Sequence, residues 1–397
     1  MSDLAAALAA GAEMAQHVRR ARVHHPKGWE PGFEWNGKVG TLISEPTAER
    51  TSPAFEALLV ELGFDPQLHE VDGPIQVRRW QQTPGDEYLY YHRATIRLRD
   101  SVNDVDIDLL VARVAKRKAR SSAATAGDAA LVVCWADWQA GKSDGDGVPG
   151  LMGRLEDMVG KVEDRWRDLR KIGVPLSRIY VLGLGDLKES CQGHYAQQAF
   201  RTALNNRDQR KLIRWGIDSA LDRWARIVPE IAVKAVGGNH GEEREAGKSN
   251  TDFADNVDVA VFEDVAYAYA KNPDRYEHVS FSLPNADLTL TFEHDGLIIG
   301  MAHGHQAGFG SGDPKAKIDR WWRGQMAGQQ PIGDADILVT GHYHHPWWNS
   351  IGKRTHFGCP ALDGGSDWFR NTAGVDSPPG TLTFVVTGSG WHSLEIL

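Results

Sequence analysis

The chain has 397 residues, with 44 Lys and Arg against 53 Asp and Glu, and a formal charge of −9. At roughly 100–200 residues per domain that length suggests two domains, or one large domain with an appendage. The 41% hydrophobic and 24% charged fractions belong to an ordinary globular protein; they exclude disorder throughout, collagen-like repetition and a disulfide scaffold, and the acidic balance argues against coating nucleic acid by bulk charge.

Residues 4–22 are rich in helix formers, with cations toward the C-terminal end, and predict a helix. Asp3 stands ahead of this stretch and its Arg residues follow it, the wrong order for a secretory signal. No apolar run approaches the roughly 18 residues of a membrane span, so a cytoplasmic protein without membrane contact is expected. Asn36-Gly37, between Glu34-Trp35 and Val39, predicts a hairpin or an irregular arm. Pro53–Phe64 reads as an amphipathic helix closed by Gly63, and Ile75–Gln82 and Tyr88–Leu98 as strands joined by a Pro84-Gly85-Asp86 turn. Residues 1–120 form the predicted accessory α+β domain. It ends in a basic run, Arg113, Lys116, Arg117, Lys118 and Arg120. Taken with Arg78, Arg79, Trp80, Tyr88, Tyr90 and Tyr91, that run makes the domain a candidate for DNA or RNA contact, against the plainer reading of a solvated helix face. Residues 121–128 lack bulky side chains and predict a linker.

From 129 to 397 the pattern is more regular. Strands at Leu131–Asp137, Arg178–Asp186 and Ile231–His240 alternate with helices near 150–172, 195–228 and 254–270. Strands near 287–293, 297–303, 336–341 and 381–386 follow, with a helix at Pro314–Met326. Alternation followed by strands alone predicts an α/β core with a mixed sheet or sandwich. Three widely spaced cysteines (Cys134, Cys191, Cys359) make no C-x-x-C pair, so structural zinc and dithiol chemistry are not indicated. Cys134, inside an apolar run, reads as a small buried hydrophobe. The 14 Trp require core, stacking surface, or both.

Five polar clusters each follow an apolar strand: Asp137-Trp138-Gln139, Gly185-Asp186, Gly238-Asn239-His240, His303-Gly304-His305 and Gly341-His342-Tyr343-His344. Strand C-terminal ends are where α/β proteins place ligands. Imidazole, carboxylate and amide oxygen suit first-row divalent ions. Two such ions roughly 3.5–4 Å apart meet the needs of phosphate ester hydrolysis, a nucleophile near neutral pH and neutralised phosphoryl charge.

The ordered set D-x-[H/Q], GD, GNH, HG, GHxH resembles the calcineurin-like metallophosphoesterase superfamily over about residues 130–390. Phrases such as DRWWRGQMAG are similar to phage-encoded members with an extra N-terminal domain. The resemblance implies a four-layer α/β/β/α sandwich and two divalent ions, manganese first and iron or zinc as alternatives. It implies that Asp137, Asp186 and His344 hold the first ion, and that Asp186 bridges to a second held by Asn239, His303 and His342. His240 is similar to the histidine that contacts the scissile phosphate and assists the leaving group; the family does not use the position of His305. Gln139 stands where histidine is commoner. As a neutral, weaker donor it predicts looser binding of the first ion.

Arg244 is a candidate phosphate contact, with Glu242 orienting a histidine, and one of Trp321-Trp322, taken as Trp322, a candidate base-stacking residue. Ala136 to Ser143 fits a permissive phosphate-binding P-loop, but Trp138 lies inside it and Ser143-DGDGVPG is not expected to start a helix. The expected function is hydrolysis of phosphodiesters, of nucleic acid or nucleotides, in a nuclease-like manner. Phosphomonoester hydrolysis and non-catalytic nucleic-acid binding are the alternatives.

Overall fold

The computed structural model describes residues 32–35, 39–44, 46, 69–81, 87–98, 107–120 and 127–397, the last without 196–197, 246–247, 250–251, 285, 309–311 and 367–376. The chain divides into two units, residues 1–99 and 100–397.

In the first unit, β1 (Gly32–Trp35), β2 (Val39–Ile43), β3 (His69–Trp80) and β4 (Leu89–Leu98) form an antiparallel sheet in the order β1-β2-β4-β3. On β4, Ala94 and Ile96 are buried while Arg93 is exposed, the alternation of a sheet with one covered face. The register slips between Asp72 and Gln76, around Gly73 at φ 77°, a bulge that glycine makes possible. The helices expected at 4–22 and 53–64 and the two turns at 36–37 and 84–86 lie outside the described residues.

The second unit opens with α1 (Ile107–Ala115), which moves the boundary from the expected 121–128 to near residue 100. The reason is a buried carboxylate: Asp218, 1% exposed, takes Arg113 at 2.8 Å and both terminal nitrogens of Arg117 at 2.8 Å. Two cations of the basic run are therefore consumed inside the fold.

Strand β5 (Ala129–Trp135) follows, then α2 (Gly147–Lys171), β6 (Leu176–Gly183), α3 (Asn206–Trp224) and β7 (Glu230–Ala235). A short hairpin, β8 (Arg244–Glu245) and β9 (Lys248–Ser249), precedes α4 (Val257–Tyr269), α5 (Pro273–Tyr276) and β10 (Val279–Ser282). Next come β11 (Thr289–His294), β12 (Leu297–Ala302), α6 (Pro314–Ala327), β13 (Ile337–Thr340), β14 (Trp347–Ile351), β15 (Arg354–Gly358), β16 (Leu382–Thr387) and β17 (Gly390–Ile396). α2 starts inside the segment read as unable to begin a helix. Pro149 sits in its first turn, where a missing N–H leaves no bond unmade. The helix still opens five residues beyond Lys142, so no P-loop geometry arises.

Two mixed sheets result, ordered β10-β7-β6-β5-β16-β17 and β11-β12-β13-β15-β14. Their inner faces share one core, in which Val132, Leu182, Val236 and Phe384 of the first meet Ile299, Val339 and Phe357 of the second. Each such side chain contributes roughly 1.5–3 kcal/mol by leaving water. The outer face of the first sheet carries α2, α3 and α4: Trp135 lies 5.7 Å from Trp224 and 6.2 Å from Phe262. On the other side, α6 lays Ile318 and Trp322 over Ala302 and Leu338. The architecture is a four-layer α/β/β/α sandwich. Trp135, Trp138, Trp166, Trp224 and Trp322 are all fully buried, so much of the high tryptophan content is core, and Cys134 is buried as expected. Among the described residues no helix is long and apolar enough to cross a membrane.

Candidate metal centre

Strands β5, β6 and β7 are parallel, so the loops after them leave one edge of their sheet, and the parallel β12 and β13 do the same on theirs. Those loops carry Asp137, Asp186, Asn239-His240, His303 and His342–His344. They are tied together: His342 N donates to Asp137 Oδ2 at 2.9 Å across the two sheets, and His240 N to Asp186 Oδ1 at 2.7 Å between neighbouring loops of one sheet. Asp137, Gln139, Asp186, His342 and His344 have φ of 51°, 44°, 52°, 72° and 55°, left-handed backbone that is rare outside glycine. The packing leaves no room at two neighbours: a Cβ on Gly238 would lie 2.1 Å from Asp186 Oδ1, and one on Gly341 2.7 Å from Asp137 Oδ2.

Beneath these loops sits Asp258, in the first turn of α4 and fully buried. Its carboxylate accepts N–H bonds from Asp186 (2.7 Å), Leu187 (3.0 Å), Lys188 (3.3 Å) and Gly238 (3.1 Å). Burial, with Asp186 nearby, pushes its pKa up to about 6.

One donor atom each from Asp186, His303 and His342 lie within 4.8 Å of one another. His303 Nδ1 is 2.7 Å from the Leu184 carbonyl oxygen, so its proton is donated there. In the neutral ring the Nε2 lone pair then faces Asp186 Oδ2 at 3.0 Å and Asn239 Oδ1 at 3.1 Å. A carboxylate oxygen and an amide oxygen thus converge on one ring nitrogen, a donor set in which a divalent cation can take the place of the Nε2 proton. Burial lowers the His303 pKa, but Asp186 and then Asp137 outweigh it and lift it to about 9. Burial and the charge on His303 push His342 the other way, well below its ordinary value. Two imidazoles, a carboxylate and an amide oxygen fit a first-row divalent ion, and an Nδ1–H bonded to a carbonyl is how ligating histidines are oriented.

The neighbouring position is less complete. Asp137 Oδ1, with no hydrogen-bond partner among the described residues, lies 3.2 Å from His344 Nε2. Gln139 does not join them as a donor. Its Oε1 accepts from Lys142 Nζ at 2.8 Å, which turns its Nε2 toward His344 Nε2 at 3.4 Å. An ammonium fixes the amide with its oxygen away from the site, so in this orientation Gln139 is not a ligand. Lys142 also pairs with Asp363, whose other oxygen is 3.9 Å from His344 Nδ1. Burial would raise the Asp363 pKa, but Lys142 and His344 together hold it below the usual range.

His240 Nδ1 lies 2.8 Å from the Glu189 carbonyl oxygen, and its ring stacks on His194 with centroids 4.4 Å apart. Burial, then His240, lowers the His194 pKa to about 3, so that ring stays neutral. With Nδ1 donating, Nε2 of His240 is the free nitrogen among the described residues. Arg244 is held by Glu242 at 2.7 Å, and Glu242 also accepts from Ser249 Oγ at 2.7 Å. Trp322, the base-stacking candidate, is fully buried and donates Nε1 to the Ile332 carbonyl at 2.8 Å. It is a core residue, because α6 turns that face onto the sheet. His305 stands 3.8 Å from Glu242, outside the Asp186–His303–His342 group.

Asp258, Lys142 and Asp363 escaped the sequence reading. Lys142 appeared only as part of the apparent P-loop, and Asp363, after β15, resembles an ordinary turn former.

No family model and no curated protein matches the chain. Among solved structures, it is similar to an archaeal phosphodiesterase (10% identity, 67% of this chain and 99% of that one, TM-score 0.31). It is likewise similar to vacuolar protein sorting 29 from Cryptosporidium parvum (12%, 68% and 98%, TM-score 0.30). A third is a conserved protein of Streptococcus pneumoniae TIGR4 described as a predicted phosphoesterase (13%, 66% and 85%, TM-score 0.26). Identities and scores this low leave the chemistry to rest on the residues themselves.

Proposed function

We propose that the chain is a metal-dependent phosphoesterase of the calcineurin-like kind, hydrolysing phosphodiester bonds of nucleic acid or nucleotides. The observation that supports it is the convergence of His303 Nε2, Asp186 Oδ2 and Asn239 Oδ1, with His342 in the same group. In this reading Asp186, Asn239, His303 and His342 hold one ion, and Asp137 and His344 share Asp186 around a second. Manganese is the first candidate for both, with iron and zinc behind it. Bound there, such ions supply Lewis acidity toward phosphoryl oxygen and make water a nucleophile near neutral pH.

The chain's own residues do the rest. Hydrolysis forms a bond from water oxygen to phosphorus and breaks the bond to the ester oxygen, which needs a proton. His240 is the group placed to give it, with Nδ1–H donated to the Glu189 carbonyl and the ring plane fixed by the stacked His194. Its imidazolium form would pass the Nε2 proton to the ester oxygen, and the proton released by the attacking water would restore it. Its backbone N–H holds Asp186 in place. Lys142, paired with Asp363, sets a fixed positive charge near His344. In the N-terminal unit, Arg78 and Arg79 are exposed on β3 and the Arg79 guanidinium lies 4.8 Å over the Tyr88 ring. A contact with nucleic acid there belongs to the same proposal.

The test is hydrolysis of bis(p-nitrophenyl) phosphate against p-nitrophenyl phosphate by the manganese-loaded chain. Bis-ester turnover is expected, falling about 10²–10⁴-fold in His240→Asn with bound metal unchanged, the usual range for a lost general acid. Turnover of the mono-ester alone would select the phosphomonoesterase reading. Nucleic-acid binding with hydrolysis indifferent to Asp186→Asn would select the non-catalytic one.

A further inference from the structure

Helix α3 carries Arg207, Arg210, Lys211 and Arg214, a spacing that puts all four on one face. Three of them lie in the first two turns, where the helix dipole favours anions and disfavours cations. That face does not simply meet water. With Lys188 and Glu243 it lines a cleft of about 420 Å³.

The charges in the cleft do not cancel. Lys188 Nζ is 3.3 Å from Glu243, Asp264 lies 2.8 Å from Arg214 and 3.6 Å from Arg210, and Asp208 is 3.8 Å from Lys211. Five cations thus meet three carboxylates. Arg207 is exposed and has no carboxylate partner among the described residues. Lys188 is only 1% exposed, whereas Glu243, its partner, is half exposed; lysines are seldom buried with so little compensation. The shared Asp264 holds two guanidinium groups in place before any ligand arrives.

The cleft is joined to the candidate metal centre through the chain. Lys188 follows Asp186 by two residues and Glu243 follows His240 by three. Gln209, on α3 itself, clamps the loop after Asp186: its Oε1 accepts from Ser190 N at 2.8 Å and its Nε2 donates to Ser190 O at 3.2 Å. Among the described residues no aromatic ring lines the cleft, so base stacking is not its chemistry. Guanidinium forks and ammonium groups recognise phosphate oxygens.

We propose that this cleft binds a ligand bearing several consecutive phosphates, gripped by Arg207, Arg210, Lys211 and Arg214 with Lys188 at its back. Either a nucleic-acid strand or a free oligophosphate carries that chemistry. The inference deepens the phosphodiester reading and rests on it for the ligand's identity, while its test is kept apart from catalysis.

The probe is a fluorescein-labelled oligothymidylate, followed by anisotropy with the full chain in EDTA, so that no hydrolysis occurs. Arg207→Glu/Arg210→Glu is expected to weaken binding at least tenfold. It should also flatten the dependence of log affinity on log salt by about 1.4, at about 0.7 for each phosphate that is no longer neutralised. Lys353→Glu, a charge reversal at the exposed β14–β15 turn, should leave both unchanged. Arg207→Gln, which alters only the exposed unpaired cation, should weaken binding in the same direction and guards against misfolding of the double variant. Displacement of the oligonucleotide by tripolyphosphate at matched charge would assign the cleft to free oligophosphates; displacement only by a second oligonucleotide would assign it to a strand. Binding equal in wild type and both cleft variants, or no binding of either probe by wild type, overturns the proposal. Failure of the phosphodiester reading would instead appear as absent bis-ester hydrolysis with this binding intact.

Discussion

Replacing Lys142 with methionine keeps most of the side chain's length and removes its charge. Lys142 is 9% exposed and Asp363 5%, and the ammonium satisfies two groups at once, the Gln139 amide oxygen and the Asp363 carboxylate. Without it Asp363 is a buried anion left with the Gly365 N–H at 3.2 Å and His344 at 3.9 Å. Breaking a buried pair from one side costs about 3–5 kcal/mol. At about 2 °C per kcal/mol for a unit of this size, Tm in chelator should fall by about 6–10 °C. The same vacancy frees the Gln139 amide to turn its oxygen toward His344 and leaves Asp363 in want of a cation. Added manganese should therefore raise the variant's Tm more than the wild type's, and native mass spectrometry should show more metal per chain at equal free manganese. Differential scanning fluorimetry in EDTA and in manganese measures the first two quantities. Equal melting in EDTA together with equal metal response would refute the reasoning, because Lys142 would then be neither clamping Asp363 nor withholding Gln139.

Asp258→Asn should lower stability by about 2–4 kcal/mol, since an amide cannot accept four N–H bonds as a carboxylate does; urea unfolding measures this, and metal uptake should weaken with it. Asp218→Ala should cost about 3–5 kcal/mol by stranding Arg113 and Arg117, and hydrogen exchange along α1 should rise; unchanged exchange would argue that α1 is held by apolar contact alone. His356 is fully buried against Trp322 and Trp347, and burial lowers its pKa to about 3, below the unfolded value near 6.5. The stability this represents is present above pH 6.5 and is lost as pH falls toward 3, with a slope of up to about 1.4 kcal/mol per unit. His356→Gln should flatten the pH dependence of Tm across that window.

Legibility in the sequence followed the range of the interactions involved. The five polar loops could be read because each is local, an apolar run ending in a short polar cluster; an α/β core with a mixed sheet or sandwich followed from the alternation of strands and helices, and its four layers from the resemblance. Boundaries were set by contacts that periodicity does not contain. The helix expected from 195 begins at Asn206, where the Asn205 side chain caps Asp208 N, after a 3-10 turn at Gln198–Arg201. Strands β10, β14 and β17 lie at sheet edges, half covered, and carry too weak an apolar signal to be read. Arg113 and Arg117 looked like surface charge because their partner, Asp218, lies about a hundred positions away. Gln139 is the same case at the site: what its amide does depends on Lys142, and what Lys142 does depends on an aspartate 221 residues further on.

The five residues of the candidate site on left-handed backbone carry a consequence for anyone who evolves this protein. Each holds its residue in a conformation disfavoured by roughly 1–2 kcal/mol, so the wild-type side chains there oppose folding even as they build the centre. A library screened for heat resistance alone would reward glycine or asparagine at 137, 139, 186, 342 and 344 ahead of most changes in the core. Thermostable survivors would then keep an intact sandwich around a dismantled centre, and metal binding has to be part of the screen from its first round.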